Sequence, residues 1–139
     1  DVMANSLVYW TQDVWRAGLF ADGSKVYAMT SEGSVRVSTT YGAVSAAKSA
    51  LESHCRQLAM EFAKLKSGVT VNAICPGYVA TKRVMAIKPE ILQSIIDAVP
   101  MKRLAKPEEI GGACTYLASD LAAFMTGATM NINGGFYYQ

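Results

Sequence analysis

Three short apolar runs, separated by stretches with helical periodicity, constrain the fold of this chain more than any other sequence feature. The runs are Lys25–Thr30, Val69–Ile74 and Gly127–Ile132, and a glycine follows each of them within three residues. Runs of this length with flanking turn residues are typical of buried strands. Apolar strands that alternate with helices form a parallel sheet with right-handed crossovers. The sequence therefore predicts an α/β fold with the order helix-strand-helix-strand-helix-strand.

The segments between the predicted strands carry the helices. Helical periodicity runs from Asp1 to about Ala21, and helix-forming residues are dense over Tyr41–Lys66. Lys106 begins a further helix through about Leu117, whose acidic first turn suits the helix dipole. Between 79 and 99 we expect a loop and one or two short helices, with Pro89 as a helix start.

Composition and charge exclude several classes of protein. Of the 139 residues, 51% are hydrophobic and 17% charged, which indicates one packed domain rather than a disordered tail. The net charge is +2 and the basic residues are scattered, so nothing predicts nucleic-acid binding. No apolar run reaches the roughly 18 residues of a membrane span, and no signal peptide is evident.

The cysteines and the histidine predict neither a disulfide framework nor a metal site. Cys55, Cys75 and Cys114 are far apart and form no C-x-x-C motif. We expect them to be buried thiols of a protein in a reducing compartment, most simply the cytoplasm. His54 is the only histidine in the sequence, and we interpret it as a surface or interface residue.

A candidate site follows from topology alone. Ligands of parallel α/β sheets bind beyond the carboxyl ends of the strands. Three segments follow the predicted strands, Thr30–Tyr41, Pro76–Lys82 and Asn133–Phe136. We expect these segments to converge on one site.

Tyr41 and Lys48 bring chemistry to that edge of the sheet. They are seven positions apart, which is about two helical turns and returns the lysine to the face of the tyrosine. A phenol can donate a proton to a substrate that is being reduced, while a nearby ammonium favours the phenolate and can hold a sugar hydroxyl. Because a tyrosine and a later lysine often share a helix by chance, the spacing alone does not establish a site.

Four motifs in order give the chain a resemblance to a known family. They are the helix with Tyr41 and Lys48, V-N-A-I with P-G-Y-V-A-T, then K-R-L-A-K-P-E-E-I, and finally T-G-A-T-M-N-I-N-G-G. Together they resemble the C-terminal half of a short-chain dehydrogenase/reductase, over nearly the whole of residues 1–139. The resemblance implies the C-terminal part of a single Rossmann-like, doubly wound domain. Since no glycine-rich phosphate loop occurs in the sequence, we expect its N-terminal half to be absent from this chain.

The spacing of the tyrosine and the lysine bears on the substrate. The usual family pattern is Tyr-x3-Lys, but Val44 stands four positions before Lys48. Tyr41 gives Tyr-x6-Lys, which resembles the enoyl-thioester reductase branch. Met3 stands where ordinary members carry an asparagine, and Ser31 resembles the NADPH-preferring enoyl reductases. The resemblance therefore favours enoyl-[acyl-carrier-protein] reduction in fatty acid synthesis.

The second half of the chain favours a different substrate. P-G-Y-V-A-T, K-R-L-A-K-P-E-E-I and N-G-G are more similar to the acetoacetyl-thioester reductases. A 3-oxoacyl-ACP or acetoacetyl-CoA reductase is therefore the alternative. An alternative of another class is a non-catalytic half-domain that serves only assembly, although such a domain would not need Tyr41 and Lys48.

The resemblance implies roles for single residues. Tyr41 would stabilise the enolate oxygen of an enoyl substrate, or protonate the alkoxide of a 3-oxoacyl substrate. Lys48 would hold the nicotinamide ribose and favour ionisation of Tyr41. Ser31 would bond the thioester carbonyl, or else cap its own loop. The predicted catalytic residues are thus Tyr41, Lys48 and Ser31.

The same resemblance implies a nicotinamide cofactor, NADP(H) or NAD(H), with NADPH favoured. Pro76, Gly77 and Val79 would let the backbone approach the nicotinamide carboxamide. Thr81 would reach the cofactor amide or phosphates. Tyr41 and Lys48 complete the predicted cofactor-binding residues.

The partners implied are an acyl thioester of acyl carrier protein or CoA and further copies of the chain. Apolar residues on the two long predicted helices exceed the single face that a helix on a sheet needs to bury. We therefore expect a homodimer or homotetramer built through these helices, with Tyr137–Gln139 near a second contact.

Overall fold

The computed structural model of the chain describes residues 2–138 and has a parallel sheet at its centre. Its strands are β1 (Lys25–Met29), β2 (Thr70–Pro76) and β3 (Thr129–Ile132), in the spatial order β1-β2-β3. Lys25 lies opposite Thr70 in one pair, and Pro76 lies opposite Ile132 in the other. The predicted α/β fold with a parallel sheet is confirmed.

The helices and the two short 3-10 turns connect these strands. The long helices are α1 (Val2–Arg16) and α2 (Gly42–Lys64). Two short helices, α3 (Lys82–Met85) and α4 (Pro89–Ala98), fill the stretch where one or two were expected, and α4 begins at Pro89 as predicted. Helix α5 covers Pro107–Ala118, and the 3-10 turns cover 32–34 and 120–122.

Two hydrophobic cores cover the two faces of the sheet. On one face Val71 and Ala73 of β2 pack with the buried side of α2, including Leu51 and Phe62. On the other face Ile74 packs with α5. A central strand buried on both faces has a mostly apolar sequence, and β2 follows this pattern except at Thr70 and Asn72.

Helix α1 is shorter than the periodicity predicted. It ends at Arg16 instead of about Ala21, because Gly18 takes a left-handed conformation with φ of 67°. The Gly18 N–H donates to Trp15 O and the Leu19 N–H donates to Val14 O, which together make a Schellman cap. The predicted start at Asp1 lies outside the described residues.

The other limits differ by one or two residues. Tyr41 precedes α2 as its N-cap, and the helix ends at Lys64 because Lys66 takes the left-handed conformation with φ of 51°. β2 continues through Pro76, so the chain turns from Gly77 onward and not from Cys75. Pro76 is tolerated because it is the last residue of its strand.

The environments of the cysteines only partly match the prediction. All three thiols are free; Cys55 and Cys75 are buried, whereas Cys114 is half-buried. Burial, together with a smaller contribution from the nearby Glu52, raises the pKa of the Cys55 thiol to about 11. Among the described residues, no helix is long and apolar enough to cross a membrane.

These environments predict an order of alkylation. When the native protein is treated with iodoacetamide at mildly alkaline pH, we expect Cys114 to react first. Cys55 should stay unmodified because only the thiolate reacts, and a buried thiol with a raised pKa holds its proton. Peptide mass spectrometry measures both rates, and the denatured protein is the control in which the difference should vanish. Equal native rates would contradict this environment for Cys55.

Candidate active site

A cleft of about 370 Å³ lies beyond the carboxyl ends of β1 and β2. Ser31 and Tyr41 line it from the segment after β1, and Pro76 and Gly77 line it from the end of β2. Phe136 reaches it from the segment after β3. The structure thus brings together the three segments that the strand order predicted to converge.

The hydroxyls of Tyr41 and Ser31 form a pair in this cleft. Tyr41 Oη and Ser31 Oγ lie 3.1 Å apart and share a hydrogen bond. The absence of a side chain at the buried Gly33 makes room for the ring of Tyr41, because a Cβ at this position would collide with it. Two hydroxyls this close can both bind a single carbonyl or alkoxide oxygen.

Lys48 lies at the carboxyl end of β1. Its Nζ donates a hydrogen bond to Met29 O at 2.6 Å, on the last residue of that strand. Lys48 is not among the residues that line the cleft. Its predicted contact with a nicotinamide ribose therefore stays a prediction.

Two serines attach the first turns of α2 to the loop that carries Ser31. Ser45 Oγ donates to Gly33 O, and Ser49 Oγ donates to Ser34 O at 2.7 Å. Positions 41, 45, 48 and 49 share one face of a helix, since residues three and four apart are neighbours. The loop conformation, and with it the position of Ser31, is thus determined by one polar face of α2.

The far wall of the cleft combines backbone and aromatic groups. The Gly77 N–H donates to Ile132 O at 2.9 Å, and a Cβ at Gly77 would lie 2.8 Å from the Cα of Asn133. Only glycine allows this approach of the two backbones. The ring of Tyr78 meets that of Phe136 edge to face, with centroids 5.4 Å apart.

Val79 and Thr81 lie apart from this cleft. Val79 pairs with Ala105 in an isolated parallel bridge and packs against the core under α5. The Thr81 hydroxyl accepts a hydrogen bond from the Val84 N–H at 3.3 Å and caps α3. Neither is among the residues that line the cleft with Tyr41, and their predicted cofactor contacts remain predictions.

Arg36 and Phe136 line the cleft, although the sequence analysis named only the segments that contain them and gave neither residue a role. The Arg36 guanidinium lies 4.8 Å from the centroid of the Phe136 ring and donates to Phe136 O at 3.3 Å. It also contacts Glu32 at 3.5 Å, while burial raises the pKa of the Glu32 carboxyl and Arg36 opposes that shift. Arg36 could have been suspected from its place five residues after Ser31. Phe136 lies at the end of the predicted segment Asn133–Phe136, and only the tertiary fold shows that its ring lines the cleft beside Arg36.

Tyr137 is buried within its own chain, and the second contact expected near Tyr137–Gln139 stays a prediction. It is 7% exposed, and its hydroxyl donates to Asn131 Oδ1 at 2.6 Å and contacts Cys75 Sγ at 2.5 Å. Burial raises the pKa of Tyr137, and the hydrogen bond with Cys75 raises it further. Tyr138 is exposed, and Gln139 lies outside the described residues.

The chemistry of these side chains fits the nicotinamide end of a dinucleotide. A phenol, a hydroxyl and an ammonium lie at the carboxyl edge of a parallel sheet, where such sheets bind nucleotides. Tyr41 and Lys48 would hold the ribose, and Pro76 and Gly77 would face the ring. Within residues 2–138, no group of three His, Cys, Asp or Glu side chains is arranged to hold a metal ion.

A Rossmann-like sheet with this tyrosine, lysine and serine at its edge is typical of a class of nucleotide-dependent enzymes. Comparisons with known proteins place the chain in the same class. A family model described as Enoyl-(Acyl carrier protein) reductase matches residues 1–137. The chain is 57% identical over 95 residues to Nodulation protein G of Azospirillum brasilense, covering 68% of the chain and 38% of that protein. It is 36% identical over 137 residues to Acetoacetyl-CoA reductase of Allochromatium vinosum, covering 99% of the chain and 55% of that protein.

A solved structure agrees with these relatives. The short-chain dehydrogenase/reductase of Brucella melitensis matches 99% of the chain with a TM-score of 0.88 and 27% identity, over 54% of its own length. The chain belongs to the short-chain dehydrogenase/reductase family. It spans about half the length of the Allochromatium and Brucella proteins.

The packing of Tyr41 on Gly33 predicts the effect of one added methyl group. In the protein that contains this chain, Gly33→Ala should displace the phenol from Ser31 and lower turnover at least tenfold, because misplacement by about 1 Å can cost roughly 100-fold. Gly112→Ala is the matched control, since a Cβ there meets nothing within 4 Å. Steady-state rates and melting temperatures of both variants are compared. A Gly33→Ala variant with the unaltered rate would contradict this placement of Tyr41.

Proposed function

We propose that the protein containing this chain is an NAD(P)H-dependent reductase of acyl thioesters, and that its substrate is a 3-oxoacyl thioester such as acetoacetyl-CoA. The observation that carries the proposal is the pair of hydroxyls, Tyr41 and Ser31, 3.1 Å apart beside the strand end where Lys48 binds. A reductase needs a proton donor and a second hydrogen-bond donor at one oxygen, and this pair supplies both.

The roles of the three side chains follow from their chemistry. The bound nicotinamide supplies the hydride to the keto carbon of the substrate. Ser31 binds the keto oxygen, and Tyr41 gives its phenolic proton to that oxygen as negative charge develops there. Lys48 holds the ribose and favours the phenolate that Tyr41 becomes.

Relatives favour the 3-oxoacyl substrate. The Allochromatium protein, which the chain matches along 99% of its length, is an acetoacetyl-CoA reductase. A protein of Cupriavidus necator with the same name is 44% identical over 93 residues. These relatives support the alternative from the sequence analysis better than its first choice, enoyl reduction.

Enoyl-thioester reduction is the second candidate, because of the Tyr-x6-Lys spacing. Val44, at the usual position of the family tyrosine, has no hydroxyl, so Tyr41 is the phenol that pairs with Ser31. In that reaction the hydride adds to the β-carbon, and Tyr41 stabilises the oxygen of the resulting enolate. The same residues therefore support both chemistries, and the substrate has to be tested directly.

The cofactor and the compartment belong to the same proposal. NADP(H) is favoured over NAD(H) by the resemblance of Ser31 and its loop to NADPH-preferring reductases. Free cysteines suit the reducing cytoplasm. The alternative of a non-catalytic assembly domain is disfavoured, because assembly alone gives no reason for the Tyr41–Ser31 pair.

The first test concerns catalysis and substrate. In the protein that contains this chain, Tyr41→Phe should lower turnover by about 100-fold or more, since general acid catalysis contributes roughly that much, while the fold survives the loss of one hydroxyl. Oxidation of NADPH and of NADH is followed with acetoacetyl-CoA and with crotonyl-CoA. Turnover of acetoacetyl-CoA supports the proposal, and turnover of crotonyl-CoA alone would support the second candidate. An unaltered rate of Tyr41→Phe on every active thioester would refute both.

We also propose that copies of the protein pair through α1 and α2. Trp10 on α1 is 72% exposed, and Val2 and Tyr9 beside it are exposed as well. These three side chains line one shallow apolar pocket on the outer side of α1. A helix with large apolar side chains on its outer side needs a partner to cover them, and a second copy supplies an identical face for a two-fold contact.

This proposal is tested by light scattering at micromolar concentration. The unaltered protein should be a dimer or a tetramer, and Trp10→Glu should shift it toward smaller species because it buries a charge in the contact. Ile91→Glu on α4 is the control, since it places the same charge at another exposed apolar residue. A monomeric unaltered protein would defeat the proposal.

A further inference from the structure

A buried carboxylate lies beneath the candidate site, on the same helix as Lys48. Glu52 of α2 is only 4% exposed, and so is Thr30, the residue after β1. Thr30 Oγ1 donates a hydrogen bond to Glu52 Oε1 at 2.6 Å. This length lies in the range of hydroxyl-to-carboxylate hydrogen bonds, which are stronger than those between neutral groups.

Thr30 is held from two sides and is covalently joined to Ser31. Its backbone N–H donates to Ile74 O at 2.9 Å and so continues the pairing of β1 with β2 by one residue. Its side chain is fixed by Glu52. Ser31 is the first residue after Thr30 and starts the loop beyond the sheet. The orientation of its side chain therefore depends on how Thr30 is fixed.

Glu52 stands where packing alone favours an apolar residue. Its neighbours Leu51 and Cys55 belong to the hydrophobic core between α2 and the sheet. Burying a carboxylate costs several kcal/mol before its hydrogen bonds are counted, and apolar replacements of buried ion pairs are often neutral or stabilising. A glutamate that lowers the stability of the fold at this position is explained if it contributes to the function of the candidate site.

We propose that Glu52 is a positioning residue: acting through Thr30, it fixes the end of β1 so that the Ser31 hydroxyl meets the phenol of Tyr41. The inference rests on the proposed reductase function. Helix α2 then contacts this segment with a continuous polar face, in which Tyr41 contacts Ser31, Lys48 contacts Met29 and Glu52 contacts Thr30. Glu52 is not among the residues that line the cleft, so its effect on the reaction would be indirect.

The test uses single and double variants of the protein that contains this chain. Thr30→Val removes the donor, Glu52→Leu removes the acceptor, and Thr30→Ser keeps the hydroxyl. Thr30→Val and Glu52→Leu should each lower kcat by roughly ten- to 100-fold, since small misplacements of reacting groups have costs of that size. The KM for the nicotinamide should change less than about twofold, because Lys48 keeps its own bond to Met29. Thr30→Ser should retain most of the activity.

The double variant separates positioning from stability. Thr30→Val with Glu52→Leu removes both partners of this hydrogen bond and leaves neither of them unpaired, so the melting temperature should recover toward that of the unaltered protein. Its kcat should nevertheless stay low if Glu52 and Thr30 position Ser31. Recovery of kcat together with the melting temperature would show a purely structural pair and overturn the proposal.

A matched control comes from another buried threonine. Thr70 at the start of β2 is 6% exposed, and its hydroxyl has no hydrogen-bond partner among the described residues. Thr70→Val should leave kcat unchanged. If Thr30→Val also leaves kcat unchanged while Tyr41→Phe abolishes turnover, the inference fails and the proposed function stands. If Tyr41→Phe is fully active, the proposed function itself fails.

Discussion

The attachment of the first turns of α2 to the carboxyl end of β1 is the constraint on which the site depends. Ser45 and Ser49 bind carbonyl groups of the 3-10 turn, and Lys48 binds the last carbonyl of the strand. A strand end has carbonyl groups that point beyond the sheet, and a helix that crosses above it can satisfy them with side chains. The phenol of Tyr41 is thereby placed over Gly33 and beside Ser31.

The early and the late turns of α2 contact the sheet through different kinds of interaction. The face toward the sheet carries Leu58 and Phe62 in its later turns, where burial of apolar surface supplies the stability. Its first turns carry polar groups toward the same sheet, and there hydrogen bonds take the place of apolar packing. A family that varies its substrates can thus keep one helix as a rigid support, because the substrate meets the loops and not the core.

The cleft is lined by groups from distant parts of the sequence. Tyr78 and Phe136 pack edge to face, and Arg36 covers the second ring from the segment after β1. These side chains come from all three strand ends, so a change in any one loop alters the shape of the cleft. A 3-oxoacyl and an enoyl thioester would both accept the hydride at the β-carbon, but negative charge would develop on different oxygens, the keto oxygen in the first and the thioester oxygen in the second. In the proposed function, the shape of this cleft would affect which of these oxygens meets the Tyr41–Ser31 pair.

Much of the fold could be predicted from the sequence, for physical reasons that lie within short segments. β2 is mostly apolar because it is buried on both faces, with Thr70 and Asn72 as its polar residues, and α4 begins at its proline. The limits of α1 and α2 were less predictable, since both depend on single residues in the left-handed conformation. Gly18 was a visible signal for one of them, whereas Lys66 was not, because a lysine rarely takes that conformation.

The sequence by itself determined the class of fold and the segments that meet at the site, because strand order and the spacing of Tyr41 and Lys48 are properties of the chain alone. Only the tertiary structure decided which side chains meet. Phe136 reaches Arg36 across 100 positions, and Glu52 reaches Thr30 across 22. No local pattern encodes such contacts, because they form only when the sheet brings its strand ends together and the helix packs across them.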